Sequence, residues 1–204
     1  MLFGDTYKTI SKPSEGIFRD RGSKFIAYTF PLKSEAELKD ILTRIRSEHP
    51  KARHYCWAIR LTTNRSVFRL NDDGEPAGTA GRPILNIMLS LDITDAAVIV
   101  VRYFGGTLLG VAGLINAYKT ASIEALKNTD IVEKTINDCY HFEFEYAGIN
   151  EVMKIIKEEN LRVNKQLLDN ICSLEILIPK TRLNQVLERV EKIGEIKIKY
   201  LFTE

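Results

Sequence analysis

The chain has 204 residues, 45% of them hydrophobic and 27% charged, an ordinary globular balance with apolar material for one or two cores. Its formal charge of +2 hides a split at residue 136, with an excess of four cations before it and of two acids after it. No apolar run approaches the ~20 residues that cross a bilayer, Met1 to Asp5 lacks the regions of a secretory signal, and Cys56, Cys139 and Cys172 form no C-x-x-C pair, which argues against a disulfide framework or zinc knuckle.

These features predict a cytoplasmic protein without a membrane partner, with buried free thiols and two compact domains. In chain order, GIFRDRGSKFIAYTF reads as two strands turning at Arg21-Gly22. Ser34-Glu35-Ala36-Glu37 is a capping box, and Leu38, Ile41, Leu42 and Ile45 recur at helical spacing, so a helix over 34–48 ends before Pro50. HYCWAIRLTT and RSVFRL are β-rich and joined by a turn at 63–65, a hairpin. A polar glycine-rich loop over 71–81 then leads to Pro83 in the first turn of a short helix reaching Leu91. AAVIVV is apolar on both faces, hence a central strand, and the following helix is expected to bury Val111, Leu114, Ile115, Tyr118 and Ala121 or Ser122.

The pattern breaks near residue 130, giving expected domains over 1–130 and 137–204. In CYHFEFEYAG, Tyr140, Phe142, Phe144 and Tyr146 alternate with polar residues, a half-buried strand. A helix carrying Ile149, Val152, Met153 and Ile156 follows. Strands near 161–168 and 171–178 come next, then a helix capped by Thr181 with Leu183, Val186, Leu187 and Val190 inward, and a strand from Glu195 to Phe202. Strand-helix-strand-strand-helix-strand is the ferredoxin-like order. The fold class is therefore α+β.

Two glycine loops, 71–81 and 104–113, each hand the chain into a helix, where unpaired amides and the helix dipole favour anions. Neither contains G-K-[ST], and Gly105, Gly106 and Gly110 do not fit G-x-G-x-x-G; the glycines also suit plain turns or close packing. Arg82 and Arg102 flank the loops. Residues 44–69 hold seven cations, Arg53 among them, against the single acid Glu48, and 96–123 contain no carboxylate. Such a surface attracts phosphate backbone, and Tyr103 or Phe104 offers a ring to unpaired bases. Asp72, Asp73 and Glu75 suit a metal, a general base or a tight turn. His54 and Cys56 share a strand face, as a nucleophile pair or as core. His49 and His141 have no partners at ligand spacing.

KFIAYTFPLKSEAEL, ARHYCWAIRL, NDDGEPAGTAGRPIL and VVRYFGGTLLGVAGLINAY together resemble the IMPACT/YigZ family over nearly the whole chain. The resemblance implies an N-terminal domain folded like the second domain of a small-subunit ribosomal protein, then a ferredoxin-like domain, a pair similar to domains IV and V of elongation factor G. It implies a translation-associated role, since the eukaryotic relative is a translational regulator. Asp72 to Pro83, Arg102 to Gly113 and His54 match the family's most distinctive segments.

The combined expectation is a non-enzymatic protein, without a cofactor, that docks on structured RNA or the ribosome. Arg53, His54, Arg82, Arg102 and Lys119 would supply donors. Backbone amides near Gly78, Gly81, Gly105, Gly106 and Gly110 would meet phosphate oxygens, and Tyr103 or Phe104 would stack. The C-terminal domain is then free for a protein partner. Two rival readings stay open, an enzyme acting on a phosphorylated small molecule and a pure protein-interaction module.

Overall fold

A computed structural model describes residues 5–204, so most of the stretch read for a secretory signal, Met1 to Gly4, lies outside the described residues. In chain order the elements are β1 (Thr6–Ile10), β2 (Ser14–Asp20), β3 (Ser23–Pro31), α1 (Glu35–Glu48), β4 (His54–Leu61), β5 (Val67–Asn71), α2 (Gly81–Ser90), β6 (Ala96–Tyr103) and α3 (Gly110–Lys127). They continue with β7 (Ile131–Thr135), β8 (Asn137–Glu145), α4 (Ile149–Glu158), β9 (Arg162–Leu167), β10 (Ile171–Pro179), α5 (Leu183–Glu191) and β11 (Lys197–Thr203). The chain divides into Tyr7–Lys134 and a second unit made of Thr135–Glu204 with Asp5 and Thr6. No helix among the described residues is long and apolar enough to cross a membrane.

The first unit is an α/β sandwich on a sheet ordered β2-β3-β6-β4-β5, antiparallel at every pairing. Central β6 needs both faces apolar, and AAVIVV supplies them. Ala96, Val98 and Val100 join the core beneath α2 and α3, while Ala97, Ile99 and Val101 join the one beneath α1. The capping box forms as read, with the Glu37 amide donating to Ser34 Oγ at 3.4 Å and Ser34 Oγ donating to the Glu37 carboxylate at 2.9 Å. β1 and β7 form a separate two-stranded sheet that the residue pattern does not announce.

One expected face is corrected. Leu114, Tyr118, Ala121 and Ser122 are buried on α3, but Val111 and Ile115 are exposed, and Ala117 and Ala125 take the inward positions. Near its C-terminal end α3 approaches β2 closely, where a Cβ on Gly16 would stand 2.2 Å from the Ala125 amide nitrogen, so alanine suits the inward position there.

The second unit orders its strands β11-β8-β10-β9, again antiparallel, which is the ferredoxin-like arrangement. α4 and α5 cover one face, over Phe142, Phe144, Leu174 and Ile176. Three details differ from the pattern. Met153 is exposed and Ile155 takes its place in the core. Tyr146 lies beyond β8, exposed in a single 3-10 turn. Thr181 sits in the 3-10 turn before α5, which has no side-chain cap, and donates its hydroxyl to Asp5. All three cysteines are buried and free, as expected.

The Gly16 contact carries a direct consequence. Gly16→Ala drives a methyl group into α3 backbone and is expected to lower folding stability by about 1–3 kcal/mol, read as a fall in Tm by thermal denaturation. An unchanged Tm would contradict the close β2–α3 packing.

Candidate functional site

The residues singled out from the sequence converge at one end of the five-stranded sheet. β4 begins there with His54, β6 ends there with Arg102 and Tyr103, and His54 and Arg102 are cross-strand partners. The 72–80 loop folds over this end because three acids anchor it in different ways.

Asp72 accepts from the amides of Ala80 at 3.0 Å and Gly81 at 2.8 Å with one oxygen, and from the Gly78 amide at 2.9 Å with the other. It thus caps α2 from outside the helix, the role a side-chain oxygen at the N-cap would have. Asp73, at φ 43°, accepts from the Tyr55 amide at 2.7 Å and pairs with Arg46 at 3.0 Å, while its carbonyl meets His54 Nδ1 at 2.9 Å. Glu75 turns inward. Its carboxylate, only 4% exposed, accepts from Arg102 Nη1 at 2.6 Å and from the Tyr118 hydroxyl at 2.7 Å, with His54 Nε2 at 4.0 Å. Burial, foremost, pushes the Tyr118 hydroxyl far above the usual tyrosine range and raises the Cys56 thiol likewise. Cys56 donates to the Asp72 carbonyl and lies 3.3 Å from the Tyr118 hydroxyl. It is a core thiol, not a nucleophile held beside His54.

Several expectations change in consequence. Arg102 is buried, neutralised by Glu75 and layered between the rings of Phe25 and Phe104, so its charge faces a carboxylate and not solvent. The amides of Gly78 and Gly81 already hold the Asp72 carboxylate. The three acids are committed to protein donors, which leaves none poised for a metal or as a general base. The basic run over 44–69 is also largely neutralised: Arg44 pairs with Glu48, Arg46 with Asp73, Arg60 and Arg65 with Asp92, and Arg69 with Glu35. Three of these four acids lie outside the run.

The second glycine loop is open. A Cβ on Gly105 would strike Gly22 at 1.9 Å, and its amide donates to Ser23 Oγ at 3.1 Å, so the loop rests on the β2–β3 turn. Beyond it Gly106 at φ 86° leads to Leu108 and the uncapped start of α3 at Gly110. Phe104 is 47% exposed, whereas Tyr103 is half-buried with its hydroxyl 2.9 Å from His49 Nδ1. The opposite ring nitrogen of His49 meets the Tyr28 hydroxyl at 2.8 Å. Burial, then Glu15 and Glu48, push that hydroxyl up to about 12.

Around Tyr103 lies a set of cations that no single sequence window contains. Arg19 faces Lys24, and Lys24 faces Tyr103, in adjoining strand pairs. Arg53, whose amide donates to the Arg102 carbonyl at 3.1 Å, extends the row to β4. The pleat turns all four toward the α1 side. Arg19, Lys24 and Arg53, with nearby Arg21 and Lys51, make no ion pair among the described residues. Arg82 and Lys119, likewise unpaired, stand exposed on α2 and α3.

The Impact N-terminal domain family matches residues 21–126, a span that holds both loops, the acid anchors and Arg102. The chain belongs to the IMPACT family. It is 32% identical over 166 residues to IMPACT family member YvyE of Bacillus subtilis (strain 168), covering 81% of this chain and 74% of that one. It is 33% identical over 136 residues to IMPACT family member YigZ of Escherichia coli (strain K12), covering 66% and 67%. A crystal structure of an hypothetical protein, 24% identical, matches with a TM-score of 0.74 over 97% of this chain and 98% of that one, and so shares its fold. The IMPACT match ends near the close of α3 and leaves the ferredoxin-like unit outside it.

The buried pair at the heart of this IMPACT domain sets a thermodynamic expectation. Arg102→Ala strands the Glu75 carboxylate and is expected to cost about 3–5 kcal/mol. Adding Glu75→Gln to Arg102→Met, which removes both charges and keeps an acceptor for Tyr118, should recover much of that loss. Urea titration of the single and double variants gives the coupling; strictly additive effects would deny the interaction.

Proposed function

We propose that this IMPACT-family protein acts in translation regulation by docking on structured RNA, of the kind the ribosome exposes, through the basic end of its five-stranded sheet. The observation that carries this is the cross-strand row Arg19, Lys24 and Arg53 beside Tyr103, cations without acidic partners on a rigid sheet. Unpaired cations fixed on a sheet suit phosphates, because no internal ion pair must break before they engage. The open amides after Gly105 follow Tyr103 in the chain and add donors, whereas Phe104, lying over Arg102 on the opposite side of the sheet, is not part of the row.

This reading replaces Arg102 with the sheet-end cations and keeps the glycine loop. It does not need the second unit as an RNA platform. The face of β8 and β10 turned away from α4 and α5 carries Cys139, His141, Glu143, Ser173 and Glu175, with Phe202 of β11 opposite Cys139. Glu143 pairs there with Lys197 at 2.7 Å and Glu175 with Lys165 at 3.3 Å. That unit therefore suits a protein partner better than a nucleic acid. The enzyme reading loses its candidate acids to structural duties.

Ribosome cosedimentation of the full chain across a KCl series tests the proposal. Lys24→Ala with Arg53→Ala is expected to weaken binding at least tenfold at low salt and to reduce the slope of log affinity against log salt by about two, with Tm unchanged. Equal affinity and equal slope in wild type and variant would overturn it.

A further inference from the structure

The start of α3 presents a feature that phosphate recognition does not use. Leu108 is 82% exposed, Val111 60% and Ile115 39%. Val111 and Ile115 are one helical turn apart on α3, and Leu108 stands exposed in the loop just before its first turn. Large aliphatic side chains rarely stand in water as a group unless something covers them, and here Leu114, Ala117, Tyr118, Ala121 and Ala125 already fill the inward side of the helix.

Residues 76–91 and 96–123, which hold α2 and the first three turns of α3, contain no carboxylate, the first turn of α3 has no acidic residue, and no side chain caps it. Ile87 and Leu91 of α2 share a cavity of about 650 Å³ with Ile123 and Leu126 of α3, so the two helices meet at their C-terminal ends. Lys119 follows Ile115 by four residues on α3, and Arg82 lies in the first turn of α2. Both are exposed and make no ion pair among the described residues.

We propose that the outer face of the α2–α3 layer, centred on Leu108, Val111 and Ile115 and flanked by Arg82 and Lys119, docks an acidic amphipathic helix of a partner protein. Two helices that meet in this way leave a shallow channel that accepts the apolar side of a third. Charge complementarity selects the acid-flanked partner, since cations and an uncapped helix N-terminus would repel a basic one. The aliphatic stripe offers no ring for base stacking, which separates this surface from the RNA-facing row. Stable membrane anchoring asks for more than three aliphatic residues with two cations.

The test uses the full-length protein and a fluorescent 18-residue peptide with leucines at helical i, i+4 spacing and glutamates on its other faces, beside a twin with every glutamate replaced by lysine. The glutamate peptide is expected to bind saturably in fluorescence anisotropy and the lysine twin at least tenfold more weakly. Leu108→Asp and Val111→Asp should each reduce affinity at least tenfold with Tm unchanged, since both side chains are exposed. Lys119→Glu should weaken binding at low salt and converge on wild type at high salt. Ile115→Asp, which lies on α3 outside the glycine loop, should weaken peptide binding and leave the ribosome salt series unaltered, and Lys24→Ala with Arg53→Ala should leave peptide affinity intact, so this surface and the RNA-facing row fail separately. Absence of saturable binding, equal binding of both peptides, or binding indifferent to Leu108→Asp overturns the proposal. Flotation with phosphatidylserine vesicles, or a dimer in light scattering, that Leu108→Asp abolishes would overturn it by assigning the stripe to a membrane or to a second copy.

Discussion

The ion pair between Glu75 and Arg102 is the constraint around which this end of the molecule is arranged. Both groups are nearly sealed from water, and a charge so placed is tolerable only with its partner and its hydrogen bonds in place. Tyr118 supplies the further donor to Glu75, which ties the 72–80 loop to β6 and α3 together. Once Glu75 is drawn inward, Asp72 and Asp73 on the same loop are delivered to the start of α2 and to the edge of β4. Deep charge is thereby cancelled, while Arg19, Lys24 and Arg53 at the rim of the sheet keep no ion pair among the described residues.

Features encoded by neighbours in the chain were legible in the sequence. Ser34 and Glu37 announced the start of α1, AAVIVV announced a strand covered on both sides, and the alternation in CYHFEFE together with the order of later elements announced the ferredoxin-like unit. The candidate site was legible in position but not in chemistry. His54, the acid loop and the end of β6 meet at one end of the sheet, yet the charge count along residues 44–69 does not register that Asp73, Asp92 and Glu35 arrive from elsewhere to neutralise it. The free cations escaped for the converse reason, because Arg19, Lys24 and Arg53 become neighbours only when three strands align. On α3 side-chain size does not mark burial: Val111 and Ile115 are exposed while Ala117, Ala121 and Ala125 face the core.

β6 lies in the middle of the sheet, and the pleat sends its last residues to opposite sides. Tyr103 goes with the α1 layer and its cation row, while Phe104 lies over Arg102 on the side of α2 and α3. Tyr103, the last residue of β6, and Phe104, the first beyond it, thus lie on opposite sides of the sheet.

An antiparallel sheet with a helix layer on each side resists bending, so its two outer surfaces keep a constant separation of a few nanometres at most. Anything gripped on one side is presented at a set distance to whatever is gripped on the other. Two bodies bound to opposite faces of this unit would therefore be held at a set local concentration without any change in its own shape.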